Sequence, residues 1–442
     1  MPKTIKIKRG LDIPLSGASS GRVETIKAQR IGMVPDDFQG VVWKCAVKEG
    51  DPVTVGTPLL HDKETEKIKI VSPLEGKVEK IVRGERRKIL AVVVEAEKSR
   101  LEPVEYEMSD KPDFIRRTLQ ESGLWAMMRQ RPFDVVPAAD SIPRDVFVTA
   151  FDSSPLAPLL FGKQDIPFIE EGLRILHLAS GKKPYIATRA ENTYEFANAE
   201  NLKMEGPHPA GNVGVQIAAT SPVNKGETVW ALNVETVIRI GKLYLGNPTV
   251  WDTIVAITGP SAVEPHLVET TIGISLEEIL DGSVKPEENV RVISGNVLTG
   301  HKEEISNGFL RYPYYQITLL PEGDDADEFM GWASMSPKKY SVKRTFPAFL
   351  KGLSKPFPFD ARIKGGKRAM ILSGEYDKVF PFDIYPEYLI RAMQTGDIDR
   401  MEKLGIYEVA PEDFALPEFV DTSKNELQKL ARENLDLVRR ES

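Results

Sequence analysis

The 442-residue chain has a single cysteine, Cys45. One thiol excludes an internal disulfide, a cysteine-built zinc site and a four-thiolate iron–sulfur cluster. Histidine is also scarce. His61, His177, His208, His266 and His301 are scattered, with no pair one helical turn apart and no HExxH run, which argues against a protein-held transition metal. No apolar run approaches the ~20 residues of a membrane span. Residues Met1 to Gly10 carry basic side chains but no apolar signal-peptide core, so a cytoplasmic chain is expected. Positive charge is not in excess: 58 Lys and Arg stand against 65 Asp and Glu, net −7. That balance argues against a nucleic-acid-coating protein, which needs a basic face. Neither a GxSxG elbow nor a kinase motif set is found.

The chain is nevertheless 41% hydrophobic, enough for several packed cores, and its length predicts two to four domains at roughly 150 residues each. Residues 1–30 alternate weakly and read as an edge strand and a loop. Between 40 and 95, short alternating runs (Lys67–Val71, Ile89–Val94) are separated by turns at Gly50-Asp51, Gly56, Ser72-Pro73 and Gly76. This predicts hairpins in a small barrel-like sandwich. The spacing resembles the biotinyl/lipoyl carrier domain. In that register the hairpin-tip position falls on Thr65, with Lys63 and Lys67 to either side and no Met-Lys-Met. The reading is an unmodified structural hammerhead, with a modified lysine as the alternative.

A polar linker is expected over 101–120 and a helix over Phe114–Met128. A strand at Asp145–Ala150, a helix at Ile169–Ala179 and a strand at Pro184–Thr188 predict a parallel βαβ sheet. Thr228–Ile240 and Thr253–Ile257 read as further β structure. A short helix at Leu276–Asp281 closed by Gly282, with strands at Arg291–Gly295 and Tyr315–Leu319, makes a compact α+β module. From about 335 the pattern turns helical, ending in an amphipathic helix with Leu427, Leu430, Ala431, Leu435 and Val438 on one face.

Four constellations bear on chemistry. The loop Glu205–Gly214 is Gly-rich, but its spacing fits neither GxGxxG nor a P-loop, and its prolines remove donors; it reads as a structural turn ahead of a phosphate cradle. His208 within it reads as a hydrogen-bonded histidine, or as a donor to a quinone oxygen. Trp125, Arg129, Arg131 and Phe133 offer a stacking surface and cations for a flat electron-poor ring, or simply a helix end packed on the sheet. Glu322, Asp324, Asp325, Asp327 and Glu328 read as a solvated loop rather than a cation site. Lys364, Lys367 and Arg368 with Lys338, Lys339, Lys343 and Arg344 read as a solvated face, or one turned to anionic lipid or an acidic partner.

Four segments together resemble the A subunit of the sodium-translocating NADH:quinone oxidoreductase (Na⁺-NQR) family: Lys6–Pro14, Glu121–Trp125 running into Arg131-Pro132-Phe133, Gly206–Gly211, and Val292–Gly300. The resemblance spans essentially the whole chain, in order. It implies an α/β and α+β multidomain fold. The parts are an N-terminal strand plus biotinyl/lipoyl-like β domain (1–100), a Rossmann-like α/β domain similar to the complex I flavoprotein subunit (101–257), a ubiquitin-like SLBB-type module (258–330) and a helical C-terminal domain (331–442). It implies a peripheral subunit on the cytoplasmic face of the inner membrane. The complex oxidises NADH, reduces ubiquinone or menaquinone, and pumps Na⁺ outward. No redox cofactor is expected in this chain; FAD, FMN, riboflavin and an iron–sulfur centre belong to partner subunits, which include membrane subunits and the NADH-oxidising subunit. Segments matching the family's quinone contacts are Gly32–Phe38 and Phe133–Ala138, so Met33, Phe38, Arg131, Phe133 and His208 are the expected quinone-binding residues. Where some relatives carry cysteines, this chain has Ile406, Pro417 and Asp421, and Val215–Ala218 stands where the family often has histidines. The rival readings are a stand-alone flavin- or NADH-binding dehydrogenase and a carrier-like scaffold protein.

Overall fold

The computed structural model describes residues 3–98, 101–102, 104–286, 289–324, 339–343, 346–347, 350 and 355–441. The N-terminal β unit consists of two antiparallel sheets. One runs in the order Arg30–Met33, Ile89–Ala96, Gly76–Arg83, Pro52–Val53; the other in the order Trp43–Cys45, Pro58–Asp62, Lys69–Val71. Alternation decides which side faces in: Val78, Val92 and Val94 are buried, whereas Lys77 and Glu79 are exposed. Gly50 and Gly56 lie at φ +88° and +91°, as their turns require. At the hairpin tip, the Asp62 carboxylate accepts from the backbone of Glu64, Thr65 and Ile68 and from Thr65 Oγ1. Thr65 thus closes an Asx-type turn at the carrier position, and Lys63 and Lys67 lie exposed beside it.

The second unit is built on a six-stranded sheet in the order Lys3–Lys6, Glu200–Glu205, Tyr185–Arg189, Asp145–Thr149, Val229–Asn233, Arg129–Arg131. All neighbours are parallel except the last pair. Ile166–Ser180 links Asp145–Thr149 to Tyr185–Arg189, and Val213–Thr220 leads into Val229–Asn233. Successive residues of the strands enter different cores. Val146, Val148 and Ile186 pack with Ile169, Leu173 and Val237 of the helices; Phe147, Ala187, Leu202 and Met204 face the opposite way.

That opposite face is covered by the C-terminal region. Its helices are Pro386–Thr395, Ile398–Lys403, Ala415–Val420 and Leu427–Glu441, and Leu389, Leu416, Leu427, Leu435 and Val438 join Phe147 and Met204 in one core. The sheet of the third unit, hereafter the third sheet, runs in the order His301–Glu303, Val290–Ser294, Gln316–Pro321, Asp252–Thr258, His266–Thr271, Val23–Thr25.

Several sequence expectations are corrected. Residues 1–30, placed with the N-terminal β unit, are shared out: Lys3–Lys6 edges the parallel sheet and Val23–Thr25 edges the third sheet. An isolated strand cannot satisfy its own backbone, so each docks where an edge is open. The helix expected over Phe114–Met128 is Pro112–Glu121; Gly123 (φ +82°) breaks it, and Trp125–Met127 is a separate 3₁₀ turn. The β run expected over Thr228–Ile240 stops at Asn233, whose side chain caps the helix Val234–Tyr244 by accepting from the Thr236 backbone. Of the acidic run, Glu322 pairs with Arg291 and Lys302, and Asp324 accepts from Asn289; Asp325, Asp327 and Glu328 lie outside the described residues. Of the basic cluster, Lys343, Lys364 and Lys367 pair with Glu375, Asp360 and Glu426, and Lys339 is buried; Lys338 and Arg344 lie outside the described residues.

Candidate functional site

Three units meet around Gly32–Phe38. The backbone N–H of Gly32 donates to the Gly273 carbonyl (2.8 Å), and a Cβ at Gly32 would lie 2.4 Å from the Phe309 ring. Only glycine lets this strand lean so closely on the third sheet. The chain then turns at Pro35–Asp37 and delivers Phe38 face to face with Tyr312, at 5.3 Å between ring centroids and 7° between planes. Tyr312 Oη donates to the Met127 carbonyl, 2.5 Å away. Arg129 lies over the Tyr312 ring at 5.5 Å and donates to the Asp37 carbonyl at 2.6 Å. Asp37 receives Arg311 Nε at 2.7 Å and the Tyr312 backbone N–H at 2.9 Å.

Gly32, Asp37, Phe38, Arg311 and Tyr312, with Met33, Glu235, Arg239, Ile272, Leu310 and Tyr314, line a cleft of about 20 Å³. Room for one water is not room for a quinone ring, so the cleft is closed in this conformation. Burial pushes the Asp37 carboxyl up to about 6 despite Arg311 and the Tyr312 N–H; it is ionised at neutral pH. Arg311 is held above its ordinary value, because Asp37 and Glu303 outweigh the burial that would lower it.

Of the five expected quinone contacts, two reach this cleft: Met33 and Phe38. Arg131 and Phe133 do not. Arg131 ends the edge strand and its guanidinium, only 4% exposed, points into the C-terminal region: Nη2 lies 2.8 Å from Glu412, Nε 3.5 Å from Asp134, Nη1 3.8 Å from Asp413. Phe133, at φ +79°, sets its ring edge-to-face with Tyr407 at 6.0 Å. Trp125, read as a packed helix end ahead of a ring-stacking surface, is core: it is fully buried against Trp230, with Nε1 donating to the Pro137 carbonyl.

His208 occupies a third place. The Ser153 hydroxyl oxygen accepts from the Gly211 backbone N–H (2.8 Å) and lies 3.0 Å from His208 Nδ1. Burial brings His208 down to about 4, against the pull of Asp152 and Asp12, so it is neutral at pH 7. The Asp12 carboxylate accepts from its backbone N–H.

The end of Gly32–Phe38 nonetheless meets Phe133–Ala138: the Val136 N–H donates at 2.9 Å to the carbonyl of Gln39, the residue after Phe38. Sequence reasoning missed Arg311, Tyr312 and Tyr314. The signal is the aromatic run Tyr312-Pro313-Tyr314-Tyr315 beside Arg311, which suits the entry to a strand equally well.

Comparison with known proteins places these parts in a family. Residues 5–97 match the NqrA N-terminal barrel-sandwich hybrid domain, 111–247 the NqrA second alpha/beta domain, and 254–304 the NQRA C-terminal SLBB domain. The Na(+)-translocating NADH-quinone reductase A subunit of Vibrio anguillarum is 36% identical, covering 99% of this chain and 100% of its own length. The A subunits of Hahella chejuensis and Neisseria meningitidis are 35% and 34% identical over the same shares. An NAD⁺-reducing [NiFe]-hydrogenase structure aligns over 74% of this chain and 66% of its own at 13% identity and a TM-score of 0.37, too slight a likeness to carry an argument. Among the described residues no helix is long and apolar enough to cross a membrane, and no group of three or more His, Cys, Asp or Glu is placed to hold a metal. The full-length identity, together with the three matched domains, shows that the chain belongs to the NqrA family, the A subunits of the Na⁺-translocating NADH:quinone reductases.

Proposed function

We propose that this chain is a peripheral subunit on the cytoplasmic face of a membrane complex that oxidises NADH, reduces ubiquinone or menaquinone and pumps Na⁺ outward. In this reading it contributes to quinone binding and holds no redox cofactor; FAD, FMN, riboflavin and the iron–sulfur centre belong to its partners. The order of the parallel strands supports reading the second unit as Rossmann-like, and the C-terminal helices form the second layer on its sheet.

One observation carries the quinone reading. The two segments expected to touch quinone are neighbours, and one of them opens on a cleft walled by Met33, Phe38 and Tyr312, with the charged groups of Asp37, Glu235, Arg239 and Arg311 also lining it. Because the cleft holds about 20 Å³, a quinone head enters only as Gly32–Phe38 moves away from Leu310–Tyr314. The test uses the assembled complex with M33A and F38L. The expected result is a raised KM for quinone, with NADH oxidation by a water-soluble artificial acceptor unchanged. An unchanged quinone KM in both variants defeats the reading. Recovery of the tagged chain alone, without membrane subunits or Na⁺-stimulated quinone reductase activity, defeats its placement in the complex.

A further inference from the structure

The basic cluster of the C-terminal region has no part in the quinone reading. From Lys338 to Arg391 the sequence has 12 Lys and Arg against 5 Asp and Glu, an excess of seven positive charges in a chain whose net charge is −7. Ion pairs do not cancel it. Lys343 and Lys378 share Glu375, Lys364 pairs with Asp360, and Arg368 and Arg391 are exposed.

Large apolar side chains are exposed in the same region. The segment Arg368–Gly374 is a loop pinned at both ends. At one end the Arg368 backbone N–H donates to the Ser423 carbonyl (2.9 Å), and Ser423 Oγ donates to the Ala369 carbonyl (3.0 Å). At the other, the backbone N–H groups of Ser373 and Gly374 both donate to Glu387 Oε1, at 2.9 and 2.7 Å. Between these anchors Ile371 and Leu372 stand 58% and 50% exposed. Glu387 lies in the first turn of Pro386–Thr395, a helix that buries Leu389, Ile390 and Met393 and turns Tyr388 outward. Tyr385 and Tyr388, 69% and 56% exposed, meet edge-to-face at 6.1 Å between ring centroids. Glu387 thus sets an aliphatic loop tip beside an exposed tyrosine pair.

Single exposed apolar residues are ordinary, but four large ones at one anchored junction are not. Tyrosine suits the boundary of a bilayer, with its ring in the apolar zone and its hydroxyl in water. Aliphatic tips reach the acyl boundary, and Lys and Arg meet anionic headgroups. Eight of the 12 cations are Lys, a residue depleted from protein–protein interfaces, which favours lipid over a partner protein.

We infer that the loop Arg368–Gly374 and the pair Tyr385 and Tyr388 form a membrane-docking face whose occupant is the surface of an anionic phospholipid bilayer. Ile371 and Leu372 enter the interface, the tyrosines lie at headgroup level, and the surrounding Lys and Arg hold the headgroup charge. This face deepens the proposed peripheral placement, on which it rests, by naming the side of the chain turned to lipid.

The test is co-sedimentation of the full-length chain, without partner subunits, with vesicles of phosphatidylglycerol and of phosphatidylcholine. Affinity for phosphatidylglycerol is expected to be about tenfold higher or more, and to fall with added salt. I371D/L372D and Y388S are each expected to weaken that binding several-fold with Tm unchanged, because the replaced side chains are exposed. Binding to neither lipid, equal binding to both, or full binding by both variants overturns the inference. So does loss of I371D/L372D from the assembled complex with its vesicle binding intact, which gives the face to a partner subunit. The vesicle result is read with no partner present, so it can fail while membership of the complex stands, and the reverse.

Discussion

Asp37 and Arg311 join the N-terminal β unit to the third sheet through two contacts on one carboxylate oxygen, Nε at 2.7 Å and Nη2 at 2.6 Å. Both side chains are largely buried, Asp37 at 4% and Arg311 at 13% exposure. Removing one partner strands the other charge in the interior. R311M is therefore expected to cost about 3–5 kcal/mol, and D37L/R311M to regain part of that loss, because Asp37 is no longer stranded while the less buried Glu303 still lacks its guanidinium partner. Urea unfolding of the three variants checks this; a double variant as unstable as R311M would contradict it.

Phe38 and Tyr312 are stacked next to that pair. Truncating a buried aromatic removes contact area and leaves a cavity, so Y312A is expected to lose about 3–5 kcal/mol. Y312F keeps the stack but gives up the bond to the Met127 carbonyl, for an expected loss of about 1 kcal/mol. Thermal unfolding separates the two; equal losses would mean that the hydroxyl, not the ring, holds the junction.

The helices Ile166–Ser180 and Val234–Tyr244 cross at two glycines. A Cβ at Gly172 would lie 2.2 Å from the Val237 carbonyl oxygen, and one at Gly241 1.9 Å from that of Phe168. The obstacles are backbone, which cannot swing aside as a side chain does. G172A and G241A are each expected to destabilise by about 1–3 kcal/mol or more, despite alanine's better helix propensity. A gain in Tm in either variant would show that the helices are free to separate.

His208 titrates in the folded chain near 4, against an ordinary value of 6.5. Between those values the unfolded chain binds the extra proton, so stability rises with pH through that window and is lost as pH falls below about 6.5 towards 4. Asp37 works in the opposite sense: its folded value is raised, so the stability it lends is full below 3.8 and fades as pH rises through about 6. A whole-chain profile mixes the two, and comparison with H208N isolates the first. Relative to H208N, the unaltered chain is expected to lose up to about 1.4 kcal/mol per pH unit on acidification. A pH-independent difference would mean that the folded imidazole titrates as it does in the unfolded chain.

Thr65, not a lysine, closes the hairpin tip, held by Asp62. Lys63 and Lys67 flank that turn as exposed side chains. The intact mass of the chain purified from its own cells is expected to equal that of the unmodified sequence. A lipoyl or biotinyl increment on either lysine would restore the carrier reading.

Much of this was legible in the residues. Gly50, Gly56 and Ser72-Pro73 marked the hairpins, and Asp145–Thr149 and Ile166–Ser180 emerged close to where their periodicity put them. The misreadings share a cause. Thr228–Ile240 is largely apolar, and an apolar run suits a buried strand as well as a buried helix; the Asn233 cap was the cue that split it. Lys3–Lys6 reads as a strand in isolation, but its partner, Glu200–Glu205, lies far along the chain.

The sequence by itself determined the class of most segments, the single-thiol chemistry and, through four ordered segments, the family. Those are local or cumulative properties: turn residues, alternation and composition act between near neighbours in the chain. Only the tertiary structure decided which faces meet. It brought Phe38 onto Tyr312, turned Arg131 and Phe133 towards the C-terminal region instead of the cleft, and laid Asp413 on the helix that follows the Gly-rich loop. An apolar or charged face announces that it needs covering, but its covering partner is selected by shape and charge across hundreds of residues, and no spacing in the chain records that choice.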